Sequence, residues 1–505
     1  MKKILIVITF FSVFRGISQD IKPIVWLKAD IVNDSLVYWQ NIMNDTLHAK
    51  RFSAELSMSS INFNPSIMIE NVIDGYELEL DLNKKSTMTS IVVFQILDTL
   101  NECGIWGIDY LNDRKLLLTS KNYHTPKKIY HYTDTNSTTP EINTLVYNIN
   151  KADVDSLNIL KIGRYDTIPF NGMIAEYILF DKPIRGNDLL IYQSYLAIKY
   201  GVTLIDKDYI NSNSDIIWQK DSIYYNNIAG ISKDTILQLN QKQSHSTFLP
   251  EITMGVNSID SSNALNQSAL IPMGSVIWAD NGIDFSEREF VFDSFGMPFE
   301  VTMKKWKVQV KGQNNYDNYQ IVFAPDNFEL KQSDECVLLI DRSGNGDFSM
   351  GDYDKLLPDS ISVDGKVCFS NVNWDIDGNG VDVFSFSIII SEIYNSNSSS
   401  TQIGDIENED TRNKKKEFLN KNEINDISVS VIPNPNNGDF FIRIDGMEMD
   451  EYTIVICDSR GGSVSKPKTY SGYKVLYKET IDKPGVYFVK IQSEKVSKIV
   501  KVVIN

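Results

Sequence analysis

Short apolar runs separated by polar turns dominate the chain from Ile21 onward. Ile24–Asp30 (I-V-W-L-K-A-D) opens the series, and Tyr76–Asn83 alternates leucines with polar residues, as a half-buried strand does. Ser90–Leu97 is continuously apolar and predicts a buried strand, Lys115–Thr119 is a shorter one, and Met173–Phe180 (M-I-A-E-Y-I-L-F) closes the series. Strands at this spacing, without sustained helical periodicity, predict an antiparallel sandwich or jelly roll. After Asp181 the period changes. Leu189, Tyr192, Leu196 and Tyr200 recur at three and four and predict one short amphipathic helix. Asn187 is placed to cap its start and Gly201 to end it in the left-handed conformation, so the helix is expected to mark a domain boundary. From Ser396 to Asn425, serine and asparagine give way to mixed charges with little to bury, which reads as a solvated linker. Strand signals return at Ile427 with I-S-V-S-V-I, F-F-I-R-I, Y-T-I-V-I-C-D and V-Y-F-V-K-I, and Pro, Asn and Gly in the turns predict a small antiparallel sandwich.

The N-terminus follows a different logic. Lys2 and Lys3 precede Ile4–Phe14, which is apolar apart from the hydroxyl residues Thr9 and Ser12, and Gly16, Ser18 and Gln19 follow. This is the layout of a secretory signal over residues 1–19. The run is too short to span a bilayer, and no other segment approaches about 18 apolar residues, so no transmembrane segment is expected in the mature chain. The formal charge of −17 argues against nucleic-acid or anionic-membrane partners, either of which needs a basic surface. Only four cysteines are present, so the fold rests on cores rather than a disulfide framework, with Cys336 and Cys368 as a candidate pair.

The strongest chemical pattern is Asp341-Arg-Ser343-Gly-Asn345-Gly346-Asp347. Calcium takes many oxygen ligands, and alternating Asp, Ser and Asn side chains around a tight glycine turn supply them from one loop. Asp341, Ser343 and Asn345 fit positions one, three and five, Gly346 position six, the Asp347 carbonyl position seven and Asp352 position twelve. A second loop, Asp375-Ile-Asp377-Gly-Asn379-Gly-Val-Asp382, has similar chemistry. Both read equally as turns joining strands, and a bound calcium would stiffen them. Glu77, Glu79 and Asp81 share one strand face, with carboxylates about 6.7 Å apart along the strand, near the separation of a retaining glycosidase pair. Alternation with Leu78, Leu80 and Leu82 is also what a solvated strand face gives. His48, His124, His131 and His245 are scattered, with none at zinc spacing. Trp39, Trp106 and Tyr130 are the candidates for stacking on sugar, with core packing as the plainer role.

Several of these stretches resemble known families. W-L-K-A-D, N-G-M-I-A-E-Y-I-L-F-D-K-P and Y-L-A-I-K-Y-G-V-T-L (the last two within Asn171 to Leu204) resemble the concanavalin A-like, laminin G-like domains of secreted Bacteroidetes proteins. The resemblance implies a two-sheet jelly roll over about residues 20–205. Asp208–Ser212, Tyr225–Ile231, Leu239–Ser244, Val276–Gly282 and Lys305–Val308 together resemble a domain of unknown function that follows such jelly rolls, covering about 206–392. The acidic strand is similar to the E-x-D-x-E pattern of jelly-roll glycoside hydrolases, but Asn83 stands where that pattern has a glutamate. Asp-Ser/Thr-aliphatic tripeptides, such as Asp45-Thr46-Leu47, Asp166-Thr167-Ile168 and Asp221-Ser222-Ile223, are similar to the O-glycosylation acceptors of Bacteroidetes.

The tail carries the most specific resemblance. Pro433-Asn434-Pro435, Gly438, Asp458–Gly461, Pro484–Ile491 and a basic end resemble the type A sorting domain of type IX secretion. This implies Sec export, passage through the outer membrane, and cleavage with attachment or release. The expectation is therefore an all-β chain: a signal at 1–19, a jelly-roll sandwich at 20–205, a second β-rich domain at 206–392, a linker at 393–427 and a small β-sandwich at 428–505. Its expected role is a secreted or surface binding and adhesion protein, partnered by the type IX machinery and by an extracellular glycan or protein. Calcium is the one candidate cofactor. The alternatives are a glycoside hydrolase using Glu77 and Glu79, or a non-binding component of a surface or gliding assembly.

Overall fold

The run Met173–Phe180 has no polar face to offer water, and the fold covers both of its sides. In a computed structural model it lies within the strand Phe170–Phe180, paired antiparallel with Thr87–Ile96 on one edge and with Val25–Val32 and Asn64–Val72 on the other. Ile174, Tyr177 and Leu179 enter a core with Val25, Leu27, Val92 and Trp106, while Met173, Ala175, Ile178 and Phe180 enter a second core on the opposite face. The structure describes residues 21–32, 37–52, 57–72, 75–81, 87–109, 115–125, 128–131, 138–148, 158–292, 298–312, 318–325, 335–348, 353–362, 364–389, 428–432, 434–458, 462–493 and 497–505. The signal at 1–19 and the linker at 393–427 lie outside these residues. The described residues divide between two compact units, Met1–Ser399 and Ser400–Asn505.

The first unit begins with fourteen strands linked into one antiparallel sheet, running from Ile129–His131 at one end to Ser57–Ile61 at the other. Alternation in Tyr76–Leu80 sends Tyr76, Leu78 and Leu80 inward to the shared core. The helix runs from Gly186 to Tyr200. Its N-cap is Arg185, with no side-chain cap, because the helix starts one residue before Asn187 and takes Asn187 into its first turn. Gly201 ends it as expected, at φ 63° with its N–H on the Ala197 carbonyl.

Every residue from Tyr192 to Tyr200 is buried, more than one amphipathic face requires. One side packs on Ile91, Val93, Ile178 and Phe180; the other meets Trp218, Ile228 and Leu239 of the region that follows. The helix is thus a shared wall between two β structures. The second structure is a sandwich. A seven-stranded sheet includes Ser275–Asp280, Trp306–Lys311, Val381–Ile389 and Glu335–Asp341, and a five-stranded sheet includes Ile252–Val256, Tyr319–Phe323 and Val367–Val372. An aromatic core fills the space between them, with Phe323 and Phe386 stacked at 3.9 Å.

All four cysteines are free. Cys336 lies in the seven-stranded sheet and points into the core, whereas Cys368 lies in the five-stranded sheet with its sulfur 3.2 Å from Gln320 Nε2, so the candidate pair does not form. The second unit packs Phe440, Ile442, Tyr452, Ile454, Val489 and Val502 into a core of its own. In it Gly485–Gln492 alternates strictly, Tyr487, Val489 and Ile491 inward. No helix among the described residues is long and apolar enough to cross a membrane.

Candidate functional site

The signature residues of the first region converge on one carboxylate. Glu176, fully buried, accepts from Trp26 Nε1 at 2.9 Å, Tyr195 OH at 2.8 Å, Tyr200 OH at 3.0 Å and Lys199 Nζ at 2.5 Å. Lys199 also reaches Asp30 at 3.3 Å. Lys28 stands over the Trp26 and Tyr195 rings, at 4.3 and 5.1 Å, and donates to the Leu237 carbonyl across the wall. Burial lowers the Lys28 pKa, and burial with the nearby Glu176 charge holds both phenols well above their ordinary value. These groups satisfy one another in a closed interior, so their role is to fix the helix on the sheet.

The carboxylates proposed for glycoside hydrolysis sit elsewhere. Glu77 and Glu79 face outward from Tyr76–Leu80. Glu77 is ion-paired with Arg164, whose guanidinium lies 3.4 Å from the Phe52 ring centroid, and Glu79 is exposed. Of the aromatic candidates, Trp39 and Trp106 are 1% and 0% exposed core residues.

Tyr130 is 49% exposed. It belongs to Ile129–His131, the outermost strand of the fourteen, and stacks on Tyr123 of the neighbouring strand at 6.1 Å and 22°. Lys128 Nζ lies 4.9 Å from the Tyr130 ring. A polar cluster occupies the opposite face of the same strands. Asn122 Nδ2 donates to Glu102 at 2.7 Å, Thr119 Oγ1 donates to the same carboxylate at 2.5 Å, and the Asn122 amide oxygen is hydrogen-bonded to His131 Nδ1. Burial works to raise the Glu102 pKa, but the hydrogen bonds from Thr119 and Asn122 outweigh it and hold the group below its ordinary value. His124, 4.0 Å from Glu102, is lowered by burial against the pull of that carboxylate. Sequence reading placed Tyr130 among three candidates. It missed Tyr123, which only strand pairing brings beside it.

The two acidic loops stand at neighbouring ends of the second sandwich. In the first, Asp341 Oδ1 accepts from Ser343 N at 2.9 Å and Ser343 Oγ at 2.7 Å, and Oδ2 accepts from Gly346 N at 2.7 Å. Asn345 Oδ1 accepts from Asp347 N at 2.6 Å. Asp352 lies outside the described residues. The second loop repeats the scheme: Asp375 Oδ1 accepts from Gly380 N at 2.6 Å and Asn379 Oδ1 from Val381 N at 2.7 Å. Arg342 ties the loops together. Its Nη1 donates to the Asn373 carbonyl at 2.7 Å and to Asp382 Oδ2 at 3.2 Å, and its Nε to Asp354 at 2.7 Å. Burial pushes the Asp382 carboxyl up to about 6, with the Asp375 N–H and Arg342 opposing. Among the described residues no three His, Cys, Asp or Glu side chains gather as a metal set.

Residues 430–505 match the family model described as a secretion system C-terminal sorting domain. The tail is an export address. A sorting domain of this kind indicates handling by the type IX machinery and delivery to the cell surface or the extracellular space. Residues 189–379 match a domain of unknown function (DUF8202), a span that starts inside the helix and covers most of the second sandwich. No curated protein matches the chain. Among solved structures, the receptor binding domain of botulinum neurotoxin mosaic serotype C/D is 14% identical, covering 73% of this chain and 97% of that one at a TM-score of 0.28. The binding domain of botulinum neurotoxin DC in complex with SialylT is 10% identical over 73% and 99%, at 0.27. Dimeric latent PorU from Porphyromonas gingivalis is 11% identical over 89% and 34%, at 0.14. None of the three superposes closely enough to bear on the ligand.

Proposed function

We propose that this exported protein is a surface or secreted binding and adhesion module that takes carbohydrate at the edge formed by Tyr123 and Tyr130. One observation carries the reading: a stacked tyrosine pair, with Tyr130 half-exposed, stands on an outer strand. Aromatic rings offer apolar faces to the C–H side of a sugar. A core has no use for Tyr130 or for its neighbour Ile129, which is 47% exposed. Binding requires Lys128 to swing from the Tyr130 ring, a small cost for an exposed lysine.

A glycan array probed with the mature chain tests this. The expected result is a set of hits that Tyr130→Ala abolishes while the thermal midpoint stays unchanged. An array without hits, or hits indifferent to Tyr130→Ala, overturns the reading and favours a scaffold role.

A further inference from the structure

A buried lysine stands between two buried carboxylates in the second sandwich. The side chains of Lys304, Glu251 and Asp280 are 5%, 5% and 1% exposed. Asp280 ends the strand Ser275–Asp280, opposite Trp306 of the neighbouring strand. Lys304, two residues before Trp306, brings its Nζ 3.9 Å from Asp280 Oδ2. Glu251 comes from the opposite sheet, just ahead of Ile252–Val256, and its carboxylate holds Lys304 Nζ at 2.5 Å. Both oxygens of Asp280 are held by N–H donors: Oδ1 by Gly282 N and Oδ2 by Asn227 Nδ2, each at 2.7 Å. The Trp306 ring, 5.7 Å from the ammonium, belongs to the aromatic core.

These are the parts of an acyl transfer: an amine in contact with a base, beside a carboxyl group whose oxygens are polarised. We propose that Lys304 and Asp280 join in an isopeptide bond, with Glu251 as the proton carrier. Glu251 takes a proton from the ammonium, and Lys304 Nζ attacks Asp280 Cγ. The N–H groups of Gly282 and Asn227 stabilise the oxyanion that forms. Glu251 returns its proton to the departing oxygen and ferries a second one from the nitrogen. The C–O bond breaks and one water leaves. An ammonium and a carboxylate thus become an amide and water, and no oxidant, reductant or cofactor is consumed. Burial favours this direction, because two ions in a dry interior carry a desolvation cost that a neutral amide does not. The bond ties two neighbouring strands covalently, in a chain whose four cysteines are all free.

Peptide mass spectrometry on a digest of the mature chain tests this. The expected product is a branched peptide joining Lys304 to Asp280, lighter than its two arms by one water. Asp280→Asn is expected to give the identical branch, with ammonia lost in place of water. Lys304→Arg and Glu251→Gln should each leave the arms separate. Wild-type chain that yields the Lys304 and Asp280 peptides separately overturns the proposal, and reduces the three groups to a buried ion pair and its neighbour. A branch joining Lys304 to Glu251 overturns it too, as does a branch that persists in Glu251→Gln. The wild-type masses decide the matter even where a variant fails to fold.

Discussion

Glu176 shows what a single residue does here. Four donors surround it in a closed interior, so neutralising it leaves the buried Lys199 ion-paired only with Asp30, itself partly exposed. Breaking a buried pair from one side costs about 3–5 kcal/mol. Glu176→Leu is therefore expected to lower the denaturation midpoint strongly, as chemical unfolding will report, while Glu79→Gln on the solvated face leaves it unchanged. Chemistry of this kind was half legible. Trp26, Glu176, Lys199 and Tyr200 stood out as signature positions, but their meeting point depends on pairings across 150 residues. The Asp-Ser/Thr-aliphatic tripeptides show the opposite case. Asp221 accepts from the N–H groups of Ile223 and Tyr224, and Asp98 and Asp234 do the same two and three residues on. At these positions the aspartate is a turn cap, and Ser222 is left exposed beside it; Thr46 and Thr167 are exposed too, Thr46 in a turn capped by Asn44. The turn alone accounts for the three-letter pattern at these positions.

At the level of elements, the helix end is a tight joint. Gly201 has φ 63°, and a Cβ placed there would stand 2.2 Å from the His245 carbonyl oxygen. Gly201→Ala must move backbone as well as adopt a left-handed φ, so a loss on the order of 2–3 kcal/mol is expected from thermal unfolding. The end of this helix was readable because glycine announces it; its all-round burial was not, because the covering residues Trp218, Ile228 and Leu239 come later in the chain. The continuous run at Ser90–Leu97 was readable for the same local reason, since a strand buried on both faces needs no alternation. The cysteine pairing failed because sequence says which residues are in strands but not which sheet each strand joins. Burial pushes the Cys336 thiol up to about 12. A thiol reagent at pH 8 should therefore leave Cys336 untouched in the folded chain and titrate four thiols once it is unfolded.

For the whole molecule, the cores decide what is separable. The core of the tail contains only tail residues, whereas the core around the helix draws on both the fourteen-stranded sheet and the second sandwich. Calorimetry of the intact chain is expected to resolve the tail as a transition of its own. The two preceding β structures should melt together, and two separate transitions within residues 20–392 would contradict that. The all-β class and the export tail were legible throughout, because period-two alternation and turn residues are local signals. The Tyr123–Tyr130 edge was not, because it is made where the sheet stops, and a sequence does not say where a sheet stops.

The Pro-Asn-Pro-Asn segment of the tail has a consequence beyond sorting. The final strand, Ser497–Ile504, pairs with Gly485–Gln492 on one side. On the other, Asn434 takes the Val503 N–H and the Lys501 carbonyl, and Asn436 takes the Val503 carbonyl and the Asn505 N–H. Four backbone groups that would template another chain are thereby occupied. Open sheet edges recruit strands from neighbouring molecules. With that outer strand occupied, this side of the tail offers neighbouring copies of the chain no ready template.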